Sequence, residues 1–392
     1  MGDNEVRRLS GAKPGIFYGY VIVVASFLIM VIMWGASYSF GVFFSRLLEE
    51  FGWTRAMTSG AFSLSLVVLS FSGLVSGRLT DRFGPRIVVT LCGLFLGAGY
   101  FLMSQVNAIW QLYLFYGVLI GIGMSTAFVP LVSTVAKWFA RRRGIMTGIA
   151  ASGLSMGTLV MPPIANWLIS LYGWRTSYMI IGGLALVTVL IGQLLKRDPA
   201  EVGLLPYGAA NPEESLGVVA TGFSLQKAIA TRQLWMLGGA ALCFTMGLGT
   251  TIVHIVPHSI GLGVSPAPAA AILAFIGGAG TVGRVTMGSA ADRTSNKLAL
   301  LVCFVLLAMS LFYLMIADKL WMIYLFAVIF GFAYGGISAL LSPTIAELYG
   351  LSSHGAILAI VNVCGEGGLA IGSVVAGYIF DVTGGYTSAF LL

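Results

Sequence analysis

The chain has 392 residues, of which 58% are hydrophobic and only 9% charged, with 52 glycines and a mean hydropathy of +0.95. A soluble globular chain carries about 25% charged residues, so this composition excludes a water-soluble enzyme or binding module. It also excludes collagen and disorder, since glycine has no period of three and polar low-complexity tracts are missing. The cysteines (Cys92, Cys243, Cys303 and Cys364) all lie inside apolar stretches, which argues against a disulfide framework. The net charge of +7 acquires meaning only from where the charges sit.

A membrane helix needs about 20 apolar residues. In chain order such runs fall at 16–44, 56–77, 87–104, 108–136, 144–170 and 176–195, then, after a polar connection, at 233–260, 266–290, 298–317, 321–346 and 354–380. Residues Tyr386 to Leu392 read as the start of a twelfth span, largely missing from the chain. The run after the polar first 15 residues is too long for the core of a signal peptide, so the first span is expected to remain in the mature protein.

With the N-terminus inside, the inner segments hold sixteen basic residues: Arg7, Arg8, Lys13, Arg78, Arg82, Arg86, Lys137, Arg141, Arg142, Arg143, Lys196, Arg197, Lys227, Arg232, Arg293 and Lys297. The outer side holds four, Arg46, Arg55, Arg175 and Lys319. The positive-inside rule therefore predicts a cytoplasmic N-terminus. The charge is topological, and a nucleic-acid partner is not expected because these short loops offer no contiguous basic face.

The polar connection divides the chain into residues 1–195, a central loop at 196–232, and residues 233–392. Both halves repeat G-x-x-x-D-R after their second span. The first copy runs Gly77-Arg78-Leu79-Thr80-Asp81-Arg82-Phe83-Gly84-Pro85-Arg86, and the second Gly288-Ser289-Ala290-Ala291-Asp292-Arg293. Internal symmetry of this kind points to a transporter built from repeats, with its substrate site near the midplane between them.

The Gly77–Arg86 stretch resembles the loop between helices two and three of the major facilitator superfamily. Gly77, Asp81, Arg82 and Gly84 match its pattern, and Pro85 departs from it. The stretch from Trp138 to Arg143, with Gly144, Gly148, Ala150 and Gly153, resembles the entry to helix five of monocarboxylate transporters. Tyr38 to Phe44 leading to Glu50–Arg55 is similar to their bacterial relatives and to the oxalate/formate exchangers, and Arg197–Pro206 to the same family's central loop. The resemblance implies an all-α polytopic fold of two pseudo-symmetric six-helix bundles. It also implies a substrate-binding arginine in the eighth helix.

The residues alone single out Arg284. It lies eight residues before Asp292, about 12 Å inside the eighth span. An intramembrane arginine costs at least ~2.5 kcal/mol and needs a cavity or a partner. Its fork suits a carboxylate and it keeps its proton. It reads either as the anchor of a carboxylate substrate or as half of a structural ion pair with Glu366. Glu366, the acid deep in the eleventh span, reads either as a proton-coupling site pairing with Arg284 or as a hydrogen-bonded strut beside Gly365, Gly367 and Gly368. His254 and His258 flank Pro257, which is expected to interrupt the helix, and without a further ligand nearby no metal site is expected. His254 alone is a candidate for substrate binding or proton coupling. Tyr116, Tyr334 and Asn362 fall near mid-depth and can hydrogen-bond a carboxylate.

Two motifs fail their context. Gly278-Ala279-Gly280-Thr281-Val282-Gly283 spells a dinucleotide fingerprint inside a span. Gly153-Leu154-Ser155-Met156-Gly157 spells a nucleophile elbow without the strand it needs. No ATP-binding loop, coherent catalytic set or cofactor is expected.

The reading is a secondary transporter of small monocarboxylates such as lactate or pyruvate, by proton symport with alternating access, in the bacterial inner membrane and as a monomer. The partners are then the acid, the proton and the bilayer. An oxalate/formate-type exchanger and a non-transporting carboxylate receptor are the alternatives. One fixed cation matches one carboxylate, and 354–380 lacks the lysine that the exchangers carry in helix eleven. The mammalian monocarboxylate transporters place an aspartate four residues before the arginine, where this chain has Gly280, and a lysine in helix one, where 16–44 has none.

Overall fold

The computed structural model describes residues 17–53, 55–208, 222–383 and 390. The expected twelfth span, apart from residue 390, lies outside the described residues. In a bilayer core every backbone N–H and C=O must be paired internally, so apolar runs of this length become helices. The structure is accordingly all-helical. In chain order its α-helices are α1 (Tyr18–Tyr38), α2 (Phe40–Phe51), α3 (Arg55–Phe83), α4 (Pro85–Met103), α5 (Ile109–Leu112), α6 (Gly121–Met124), α7 (Val129–Trp138) and α8 (Arg143–Gly192). The second half adds α9 (Leu225–Ile229), α10 (Arg232–Gly261), α11 (Pro266–Arg293), α12 (Asn296–Leu314), α13 (Leu320–Tyr349) and α14 (His354–Thr383).

Ten of the described helical runs are long and apolar enough to cross a membrane. The 50-residue α8 is two crossings joined at Gly173, whose φ of 75° and ψ of 164° break the helix. Only glycine takes that conformation without strain, which is why the expected fifth and sixth spans meet there. The fourth span is less regular than its sequence announces. Between α5 and α6 residues Tyr113–Ile120 form a π-helix, a rare arrangement that widens the turn. α10 runs through Pro257 to Gly261, so the expected interruption at that proline does not occur. A proline so near a helix end forfeits one backbone bond, which membrane helices tolerate.

One hydrophobic cluster is drawn from residues 22–195 and a second from 244–390. A third, including Val129, Leu234, Ile345 and Ile357, joins the two halves. Outward-facing residues remain apolar, as at Phe71, Leu190 and Ile316, because lipid rather than water meets them.

The turns α3–α4, α7–α8, α11–α12 and α13–α14 share one end of the bundle, which carries Arg82, Arg86, Arg141, Arg142, Arg293 and Lys297. Here the halves meet backbone to backbone. A Cβ built on Gly144 would lie 2.4 Å from the Gly288 carbonyl oxygen, and one on Gly288 2.4 Å from that of Gly144. Any side chain at either position would push α8 and α11 apart. Pro85 opens α4 in the first turn, where a missing N–H is harmless, so the departure from the family loop leaves the fold intact.

Candidate functional site

Arg284 is 1% exposed. Helical side chains lean toward the N-terminus of their helix. α11 begins at the end of the bundle opposite the basic turns, so Arg284 reaches from the seam toward mid-bundle. Its backbone carbonyl lies against Gly148, where a Cβ would approach to 2.4 Å. The guanidinium thus starts at the closed seam and ends above it.

Two neutral hydroxyls hold it. Arg284 Nη2 donates to Tyr334 Oη at 3.0 Å, and Nη1 donates to Ser155 Oγ. Tyr334 also places its ring beneath the cation, 5.0 Å from Cζ to centroid, and is backed by Phe244 with ring centroids 6.0 Å apart. Arg284 Nε is buried without a hydrogen-bond partner among the described residues. Among the described residues no Asp or Glu lies within ion-pair distance of Arg284. A buried charge is ordinarily paired; this one is solvated by two dipoles and a π face.

The structure brings Arg284 and Tyr334 together, but forms no ion pair between Arg284 and Glu366. Glu366 is half-buried on α14. No hydrogen bond is made by its side chain among the described residues, and the strut at that level is instead Thr245 Oγ1 donating to the Gly365 carbonyl. Asn362, also half-buried, lies one turn before Glu366 on the same helix face.

Tyr116 is placed elsewhere. It is fully buried in the first-half core, and its hydroxyl donates to the Ser37 carbonyl at 3.0 Å. The π segment carrying it turns it onto α1 and the Phe40 ring, 4.3 Å away. His254, half-buried, lies 22 residues beyond Arg232, about 33 Å along α10. That carries it toward the end opposite the basic turns, beyond the level of Arg284.

Two residues join the site that depth alone did not mark. Ser155, 7% exposed, belongs to the elbow-like pentapeptide and comes from α8, in the other half of the molecule. Tyr38 ends α1, is 44% exposed and stacks on Trp34 at 5.7 Å. It lies within electrostatic reach of Tyr334, Glu366 and Arg284. Trp34 is fixed in turn by its indole N–H to the Ala127 carbonyl at 3.1 Å.

The repeated motif is an inter-half clamp. Asp292 accepts from the backbone N–H groups of Gly144 at 2.8 Å and Ile145 at 2.9 Å, at the start of α8. Asp81 accepts from those of Gly355 at 3.4 Å and Ala356 at 3.1 Å, at the start of α14. Lys137 Nζ also donates to Asp81 at 2.9 Å. Gly77 lies against the Gly355 carbonyl, as Gly288 does against Gly144. Gly84 caps the start of α4, and Arg82 and Arg293 stand exposed in the last turns of α3 and α11, where cations complement the helix dipole.

Chemically the centre is a guanidinium with its fork toward neutral donors and acceptors, suited to a carboxylate by bidentate, charge-assisted hydrogen bonds. Among relatives of established name, the chain is 28% identical over 382 residues to Monocarboxylate transporter 13 of Rattus norvegicus, covering 96% of this chain and 85% of that one. It is 25% identical over 410 residues to Monocarboxylate transporter 12 of Homo sapiens, covering 98% and 80%. Its fold is similar to that of the proton:xylose symporter XylE, with a TM-score of 0.72 at 13% identity over 95% of this chain and 92% of that one. The E. coli fucose:proton symporter FucP gives 0.68 at 16% identity, over 95% of each chain. The model of the Major Facilitator Superfamily matches residues 26–316 and 262–392. The chain therefore belongs to the Major Facilitator Superfamily of membrane transporters.

Proposed function

We propose that this transporter carries small monocarboxylates of the lactate or pyruvate type together with a proton, by alternating access. The observation that carries the reading is Arg284: a guanidinium 1% exposed, held by Tyr334 and Ser155 and matched by no carboxylate among the described residues. One buried cation calls for one anion. The relatives named monocarboxylate transporters supply the same substrate class.

The substrate carboxylate sits on the Arg284 fork, Tyr334 turns its hydroxyl hydrogen toward it, and Tyr38 closes from the first half. Glu366 takes the proton, with Asn362 one turn away on the same face. Moving an anion toward a negative interior costs about 2.3 kcal/mol per 100 mV, and a co-transported proton removes that cost. Residues 1–195 and 233–392 rock about the site, linked by the loop at 196–232. The basic end with the N-terminus faces the cytoplasm of a bacterial cell, and the carrier works as a monomer.

Uptake of labelled L-lactate into proteoliposomes tests this. An inward proton gradient is expected to accelerate uptake, and Arg284→Ala is expected to abolish it in protein that remains monodisperse. Uptake indifferent to protons but driven by an internal counter-anion overturns symport in favour of exchange. Concentrative lactate uptake by Arg284→Ala overturns the assignment of the site.

A further inference from the structure

We propose that Ser155 is a latch between the two halves which the substrate anion itself releases. The inference rests on the carboxylate reading of Arg284. Its starting point is the one hydrogen bond, among those described, that joins the guanidinium to the opposite half: Arg284 Nη1 to Ser155 Oγ.

The two partners of the fork differ in what they move with. Tyr334 belongs to α13, which packs on α11 in the same half, with the Gly335 position lying directly against the Gly280 backbone. It travels with Arg284. Ser155 belongs to α8, and α8 meets α11 only across the seam between halves. It lies 12 residues beyond Arg143, about 18 Å along the helix, on the far side of the Gly144–Gly288 and Gly148–Arg284 contacts. Opening the basic end separates these backbones, and the Ser155 bond cannot survive that separation. The bond therefore belongs to the closed arrangement and holds it.

A carboxylate approaching the fork end-on uses Nη1 and Nη2, the atoms now donating to Ser155 and Tyr334. It offers an anion in place of a neutral hydroxyl, so that each bond joins opposite charges in the bidentate geometry that the planar fork favours. The exchange at Nη2 leaves the halves as they were. The exchange at Nη1 removes a tie between them. Asp81 and Asp292 also hold the seam, but they touch backbone N–H groups and not the guanidinium. Ser155 is thus the point where occupancy of the site is converted into freedom of the halves to rock. It is a positioning residue acting through Arg284, and it slows opening of the basic end in the empty carrier.

The test uses full-length protein in a cysteine-free background, with spin labels at Ala140 and Thr294. Both positions are exposed and stand beside the starts of α8 and α12, on opposite halves of the basic end. Without ligand, Ser155→Ala is expected to raise the ratio of long to short distances about tenfold, the lower range for losing a hydrogen bond to a charged group. Ser155→Thr, which keeps the hydroxyl, should resemble the wild type. L-lactate should shift the wild type in the same direction and add little to Ser155→Ala. In proteoliposomes the stimulation of lactate efflux by external lactate should fall toward unity in Ser155→Ala, because the empty carrier then opens the basic end without having to break this bond. A general packing defect would slow exchange and net efflux alike. A ligand-free distance distribution unchanged by Ser155→Ala overturns the latch, whatever lactate does. If Ser155→Ala opens the basic end while lactate leaves the wild type untouched and unmoved, the latch stands and the monocarboxylate reading falls.

Discussion

Asp81 and Asp292 perform the same act in opposite directions. Asp81, at the end of α3, caps α14 in the second half, and Asp292, at the end of α11, caps α8 in the first. Each places a carboxylate on the positive end of a helix dipole, where about 0.3–1 kcal/mol of stabilisation is usual. They are not energetic equals. Asp81 also neutralises Lys137 across side chains only 9% and 12% exposed. Breaking such a buried pair by removing one partner costs about 3–5 kcal/mol, whereas losing a cap costs about 0.5–2. Asp81→Asn is therefore expected to loosen the closed basic end more than Asp292→Asn. Thiol labelling of a cysteine placed near the seam checks it: the order of labelling rates should be Asp81→Asn, then Asp292→Asn, then wild type. The reverse order of the two variants would place the weight on the dipole rather than on Lys137.

The two faces of Tyr334 toward Arg284 can be separated. Tyr334→Phe keeps the ring beneath the guanidinium and deletes the hydroxyl that accepts from Nη2 at 3.0 Å. In the loaded site that hydroxyl turns to donate to the substrate carboxylate, and a hydrogen bond to a charged group is worth about 1.5–3 kcal/mol, so the apparent KM for lactate should rise roughly tenfold or somewhat more. Arg284→Lys keeps the charge but cannot offer a carboxylate two parallel donors from one planar fork. Its kcat/KM should fall at least about a hundredfold, the fork's two bonds to the carboxylate being lost together. Equal losses in the two variants would mean that charge, not geometry, reads the substrate.

How far these features were legible depends on the signal each residue sends. Arg284 announced itself because a charge within a span is rare and costly. Ser155 sent no such signal: a serine in a glycine-rich membrane helix usually lets helices approach, and only the meeting of α8 with α11 puts it on the guanidinium. Tyr116 and Tyr334 looked alike by depth. What separates them is rotation about the helix axis, and the π-helix at Tyr113–Ile120 shifted that rotation without leaving a mark in composition. The spans were readable because their apolar length is dictated by the bilayer, and the break at 170–176 because a membrane crossing ends there. That the break would be a single glycine with φ of 75° inside one 50-residue run was not.

Glu50 gives the clearest pH dependence outside the spans. Its carboxylate accepts from Arg175 and from the Trp174 indole, joining α2 to the second arm of α8. The guanidinium stacks over Trp174 at 4.2 Å and so cannot swing away freely. The Arg175 hydrogen bond, against a smaller desolvation effect, holds the Glu50 carboxyl below its ordinary value of 4.5. A depressed folded-state pKa contributes stability above the unfolded value, and that contribution is lost as pH falls through the folded one. The contribution is therefore complete above about pH 4.5 and disappears on further acidification. The Glu50 side chain is 38% exposed, so solvent screening keeps the effect below about 1 kcal/mol. Melting temperatures of wild type and Glu50→Gln should differ at pH 7 and converge near pH 3. A constant difference across that range would assign the effect to packing.

Gly280 offers the sharpest manipulation of the site. A Cβ at this position would lie 3.5 Å from Arg284 Nη1, 3.5 Å from Tyr334 Cδ1 and 3.3 Å from the Gly331 carbonyl oxygen. The first two are ordinary contacts, and the third asks for a shift of a few tenths of an ångström. Gly280→Asp thus sets a carboxylate beside the very nitrogen that donates to Ser155. An internal anion there pairs with Arg284 and competes with the substrate. It should also take Nη1 from Ser155, so it mimics occupancy. Affinity for lactate is expected to fall at least tenfold near neutral pH, the scale of one charge-assisted hydrogen bond. It should recover as acidification protonates the new side chain, giving a pH dependence the Gly280→Ala control lacks. Gly280→Ala supplies the Cβ without the charge and should bind nearly as the wild type does. If alanine and aspartate impair binding alike at every pH, the position acts through the packing of α11 on α13 and not through the charge of Arg284.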